Sequence, residues 1–150
     1  MDINWASVPG TMIVSMIKHL HKVIEEFPEV LRGTKASPSG DHLFTIREYG
    51  ERKFLPEEQA RQFHHTVAQL LFLCKSARPD IEPLISFLTT RVKGPDKYDW
   101  GKLKHGLIYL KGTLQMKRNM KADSLSTIRW WVDDSYGVHW DCKGHAGAMV

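Results

Sequence analysis

Ile128-Arg129-Trp130-Trp131-Val132-Asp133-Asp134 is the stretch on which the fold class turns. It is rich in β-branched and aromatic residues and ends on two carboxylates, which reads as a strand with acids at its end. Acids so placed can hold a divalent metal over a phosphodiester. The strand is expected to span Leu125–Asp133, and Gly144 to Val150 is expected to begin another.

Upstream the chain is helical. Pro56-Glu57-Glu58 opens a helix with a proline and two acids at its positive end. Phe63, Val67, Leu70, Leu71, Cys74 and Ala77 continue its apolar stripe. Arg78-Pro79-Asp80 interrupts the pattern, with Asp80 as the expected N-cap of a second helix and Pro83 in its first turn. Ile81, Leu84, Ile85, Leu88 and Val92 form the second stripe, and Gly94-Pro95 ends it. Asp96 and Asp99 suggest a capping box for a third helix. Its buried face would be Trp100, Leu103, Leu107 and Leu110, and Gly112 its C-terminal cap.

Two short strands, 2–5 and 11–16, flank the turn Ser7-Val8-Pro9-Gly10. Ser15 is the expected cap of an amphipathic helix that runs through Met16, Ile17, Leu20, Val23, Ile24 and Phe27 to Pro28. Residues 28–55 carry no periodicity. They read as a linker packed over the surface, with Leu43 and Phe44 as anchors and Leu43–Ile46 as a possible strand. Leu114–Lys117 is a further short strand candidate. The fold expected is α+β: an N-terminal hairpin and helix, a central three-helix body, and an incomplete C-terminal antiparallel sheet. Three regions follow, 1–55, 56–113 and 114–150.

The 150 residues carry a net charge of only +4. Between Leu88 and Lys121, however, nine basic residues face Asp96 and Asp99 alone, a net +7. Such clustering marks a polyanion binder or a solvated helix face. Lys97, Lys104 and Lys111 recur every seven residues and are expected along one exposed line, flanked by Lys102 and His105. With Arg91, these four lysines are the candidate nucleic-acid contacts. No apolar run approaches the roughly 20 residues of a membrane span. Cys74 and Cys142 form no disulfide framework, so an intracellular, reducing compartment is expected, cytoplasmic or nuclear.

The order of motifs resembles the copia-type retrotransposon Pol polyprotein. Phe63-His64-His65-Thr66-Val67-Ala68-Gln69-Leu70-Leu71-Phe72-Leu73, then Ala77-Arg78-Pro79-Asp80-Ile81 and Phe87-Leu88-Thr89-Thr90-Arg91-Val92, resemble the region after the polymerase palm. Asp99-Trp100-Gly101-Lys102-Leu103-Lys104 and Tyr109-Leu110-Lys111-Gly112-Thr113 resemble the helix that follows. Trp131-Val132-Asp133-Asp134-Ser135-Tyr136, with His139, Asp141, Lys143, His145 and Gly147, resemble the opening of its ribonuclease H domain. The resemblance covers nearly the whole chain. It implies that residues 1–55 end the polymerase palm, 56–113 are thumb and connection, and 114–150 begin a ribonuclease H-like fold.

In that family four acids bind two Mg2+ or Mn2+ ions, and the first of them maps to Asp133. The resemblance therefore implies a scaffold for an RNA–DNA hybrid, partnered by the remainder of the Pol polyprotein, with Asp133 as a remnant catalytic ligand. The remaining acids are expected before Met1 and beyond Val150. The sequence departs from the family at Asp134, where alanine is common, and at Gly144 and Ala146, where serine and threonine are frequent. Two other assignments compete. Val132-Asp133-Asp134 could be a polymerase turn, but those acids should precede the thumb helices. His139, Cys142 and His145 have zinc-like spacing, but lack an evident fourth ligand. His64-His65 read as packing and surface. Arg78 reads as a phosphate contact or as a cap for the preceding helix. A stand-alone basic nucleic-acid-binding module is the alternative function.

Overall fold

A computed structural model of the chain describes residues 1–5, 10–122, 124, 126–137 and 144–149. The architecture is mixed helix and strand, as expected for α+β, with four α-helices and five strands among the described residues. Strand β1 (Asp2–Trp5) pairs antiparallel with β2 (Thr11–Ser15), with Ile3 opposite Val14. Helix α1 (Ile17–Glu26) follows. Its N-cap is Met16 and no side chain caps it, so the cap expected at Ser15 is not formed.

Helices α2 (Glu57–Ser76), α3 (Glu82–Thr89) and α4 (Lys97–Gly112) form the expected body. One core joins it to the N-terminal elements: Val14, Leu20, Val23 and Phe27 belong with Phe63, Leu70, Phe87, Leu103 and Leu110. Leu71, assigned to the buried stripe of α2, is instead 38% exposed, and Leu73 takes its place in the core. The reason is angular. Positions 63, 67, 70 and 74 share one face; 71 and 73 lie about a quarter turn to either side of it, and the core extends over the Leu73 side.

Between α2 and α3 the chain makes a 3₁₀ turn, Pro79–Ile81. That turn moves the N-cap of α3 to Ile81, and Asp80 serves another purpose described below. The capping box at α4 forms as expected. Asp96 Oδ1 accepts from the amides of Tyr98 and Asp99 at 2.8 and 2.9 Å, and Asp99 Oδ2 accepts from the Asp96 amide at 3.1 Å. Gly112 is the last helical residue, and the C-cap is Thr113.

The sheet differs from expectation. Strand β3 (Arg118–Lys121) starts four residues after the candidate at Leu114, because Thr113–Gln115 form a turn. It pairs with β2, with Met12 opposite Met120, so it completes a three-stranded sheet with the N-terminal hairpin. Strands β4 (Trp131–Ser135) and β5 (His145–Met149) form a second, two-stranded sheet, with Asp133 opposite Gly147. The strand expected from Leu125 thus begins at Trp131. Leu43–Ile46 forms no strand.

Candidate nucleic-acid interface

The lysine line of α4 is largely occupied by the chain itself. Lys104 Nζ donates to Glu29, and Trp100 Nε1 donates to the same carboxylate at 2.6 Å. Lys111 Nζ donates to the Leu31 carbonyl at 2.9 Å, and Lys102 Nζ to the Thr45 carbonyl at 2.7 Å. His105 Nε2 meets the Ser37 carbonyl at 3.1 Å. Trp100 also stacks on Phe27, with ring centroids 5.0 Å apart. Segment 27–45 therefore lies as a strap across α4, anchored by buried Leu31 and Leu43. The surface-packed linker is real. Phe44, expected as an anchor, is 40% exposed and touches Phe87 edge-on.

Arg91 is buried, with Nε 3.1 Å from Asp99 Oδ2 and Nη2 4.0 Å from Asp96 Oδ2. A phosphate cannot reach it without breaking that cluster, so Arg91 is corrected from surface contact to core ion pair. Lys102 is half-buried, its ammonium 4.2 Å from the Phe87 ring centroid and 4.6 Å from that of Tyr98. Burial pulls its pKa down to about 8, against the opposing pull of Asp99 and Asp96. Lys104 and Lys111 reach solvent but are engaged by the strap. Of the five, Lys97 is exposed at the start of α4. Lys93, Lys117 and Lys121 add exposed charge nearby in sequence.

Arg78 resolves between its two readings in neither direction. It is buried, and its fork engages both Asp80 oxygens at 2.9 and 2.7 Å. It also donates to the Thr113 carbonyl and hydroxyl at 3.0 and 2.8 Å. Arg78 thus caps the end of α4 rather than that of α2. Tyr109 completes the cluster by donating to Asp80 at 2.9 Å. Burial pushes Asp80 up, but the Arg78 and Tyr109 hydrogen bonds outweigh it and hold the carboxyl below its usual range.

Asp133 and Asp134 lie side by side on β4 and both are exposed. Successive strand residues point to opposite faces, so the two carboxylates diverge. Divergent carboxylates do not fit a two-ion site, which needs several converging acids about 4 Å from ion to ion. Asp134 is therefore a neighbour of Asp133 and no partner in chelation. Among the described residues no three His, Cys, Asp or Glu side chains converge as a metal site. His139, Asp141, Cys142 and Lys143 lie outside the described residues, and with them most of the zinc alternative. His64 and His65 are exposed on α2, in keeping with a surface role.

Sequence reasoning overlooked a cleft of about 580 Å³ lined by Trp5, Arg118, Lys121, Ile128, Arg129 and Trp131, among others. Its signal was present as two tryptophans and three cations, but they come from β1, from β3 and from residues 129–131, which no local pattern brings together. Among the described residues, no helix is long and apolar enough to cross a membrane. Compared with protein-family models, curated proteins and solved structures, the chain matches none.

Proposed function

We propose that the chain is a scaffold portion of a copia-type retrotransposon Pol polyprotein, reaching from the end of the reverse transcriptase into the start of ribonuclease H. Its parent would be an RNA-directed DNA polymerase with ribonuclease H, using Mg2+ or Mn2+. In this reading the chain binds an RNA–DNA hybrid weakly, works beside the rest of the polyprotein, and holds one catalytic ligand, Asp133. The observation that carries the reading is the position of Asp133. It stands on a strand that pairs antiparallel with the next, after the helical body, in the motif order of the family. Exposed Lys93, Lys97, Lys117 and Lys121 supply the electrostatic attraction.

A stand-alone module built on residues 88–121 is the weaker reading, because Arg91, Lys102, Lys104 and Lys111 are engaged within the chain. Filter binding against an RNA–DNA hybrid across a salt series tests the scaffold. Binding that weakens linearly in log salt is expected. No binding at low salt overturns it. A magnesium or manganese cleavage assay on the same hybrid should show no cutting that Asp133→Asn removes. Cutting that depends on Asp133 would make the chain an enzyme and overturn the scaffold reading.

A further inference from the structure

The cleft described above has the chemistry of a site in its own right. Its volume of about 580 Å³ falls in the range of ligand sites, roughly 300–1,000 Å³. Trp5 and Trp131 line it and remain 74% and 53% exposed, and Ile128 beside them is 74% exposed. Indole faces left in water are available for stacking. Arg118, Lys121 and Arg129 line the same cleft, and no acidic residue does so among the described residues. Arg118 spends Nη1 on the Lys75 carbonyl at 3.3 Å, and a guanidinium has further donors. Aromatic faces interleaved with cations match single-strand binding surfaces.

We propose that this cleft, between β3 and residues 127–131, binds an unpaired stretch of nucleic acid, with one or two bases stacked on Trp5 and Trp131 and phosphates held by Arg118 and Lys121. A duplex does not satisfy it, since paired bases already stack on one another and offer the protein only backbone and edges. An acidic peptide would use the cations and leave both indoles idle. The proposal rests on the nucleic-acid reading above, but it names a different substrate form and a different surface from α4.

Fluorescence anisotropy on the whole chain separates the cases, with three labelled probes: oligothymidylate, an RNA–DNA hybrid duplex and polyglutamate. Oligothymidylate should bind, and Trp5→Ala or Trp131→Ala should weaken it about fivefold or more, as loss of one stacking partner does. Lys121→Ala should lower its salt slope by about 1. Both indoles are well exposed, so unchanged melting of these variants is expected and excludes misfolding as the cause. Oligothymidylate binding that ignores Trp5 and Trp131 overturns the proposal. So does hybrid binding without single-strand binding, which leaves the scaffold reading intact. Polyglutamate bound as tightly as oligothymidylate also overturns it. Single-strand binding that depends on Trp5, with no hybrid binding, supports the cleft and removes the scaffold reading. Silence from all three probes removes both.

Discussion

Arg91 Nε lies 3.1 Å from Asp99 Oδ2, and both side chains are buried. The contact ties the end of α3 to the first turn of α4 through the residue that also closes the capping box. Burial pushes the Asp99 carboxyl above its usual range, while the Asp96 amide and the Arg91 charge pull against that. Removing the cation leaves Asp96 and Asp99 buried together without compensation. Arg91→Ala is expected to cost about 3–5 kcal/mol, the scale for breaking one side of a buried pair. Urea unfolding followed by circular dichroism measures it. A loss below about 1 kcal/mol would place Arg91 on the surface after all.

The Asp80 cluster predicts a pH dependence. Its folded pKa is depressed, so the unfolded chain binds more protons in acid and stability falls with pH. The contribution is present above the unfolded value near 3.9 and is lost as pH drops through the folded one. Asp80→Asn should be less stable at neutral pH and should lose less on acidification below about pH 4. Thermal melts from pH 7 to pH 3 of both proteins give the comparison. Parallel curves would detach Asp80 from acid stability.

Much of the helical body could be read beforehand because its signals are local. The stripes at 63, 67, 70 and 74 and at 81, 84, 85 and 88 follow one period, and Asp96 and Asp99 stand three apart as a capping box requires. The strap across α4 could not be read in the same way. Lysines seven apart look alike whether they face water or the carbonyls of Leu31 and Thr45. Acceptance by a backbone carbonyl leaves no mark on the sequence that provides it. Arg91 misled for a related reason, since a cation is assigned to the surface unless its partner is known. Asp133 was legible as a strand acid. The tryptophan–cation cleft was hidden because β1, β3 and residues 127–131 form it together, and strand pairing joins only the first two, through β2.

Lys102 carries a pH signature of the same sign, displaced to the alkaline range. Its folded pKa of about 8 lies below that of an ordinary lysine, so the unfolded chain holds more protons between about 8 and 10.4. By the same linkage, stability from this group rises as pH climbs through that window. The Lys102→Met variant has no such titration. The stability difference between it and the parent should therefore change in the parent's favour from pH 8 to pH 10, as read by urea midpoints. A difference constant across that range would mean that Lys102 stays well solvated.

Gly106 sits where α4 crosses α3, and a Cβ there would stand 2.3 Å from Leu84 Cδ2. Leu84 is 1% exposed and has little room to move. Two effects oppose each other in Gly106→Ala. Helix propensity favours alanine by about 1 kcal/mol, and overpacking of a filled core costs about 1–3 kcal/mol. The clash should win, giving a net loss of up to about 2 kcal/mol in urea unfolding. The paired change Gly106→Ala with Leu84→Ala should recover part of that loss relative to Leu84→Ala alone, because the methyl then fills space. Additive losses would show that the two side chains do not meet.

For the hybrid binding proposed above, the strap sets up a competition within the chain. Glu29 accepts from both Lys104 and Trp100, and those hydrogen bonds hold its carboxyl below the usual range. Any phosphate that used Lys104 would first have to displace Glu29. Glu29→Gln keeps the shape and removes the charge, so Lys104 becomes available to an outside anion. Stability should change little, by about 0–1 kcal/mol, because the pair is partly solvated. Hybrid affinity should rise at low salt, and the slope of log affinity against log salt should steepen by about 1, one added phosphate contact. The same titration on Glu57→Gln, which removes an exposed acid paired with Arg61 and with no lysine of α4, is the control and should leave the slope nearly unchanged. Equal effects from both variants would mean that net charge alone sets the affinity and that the strap does not compete for the face of α4.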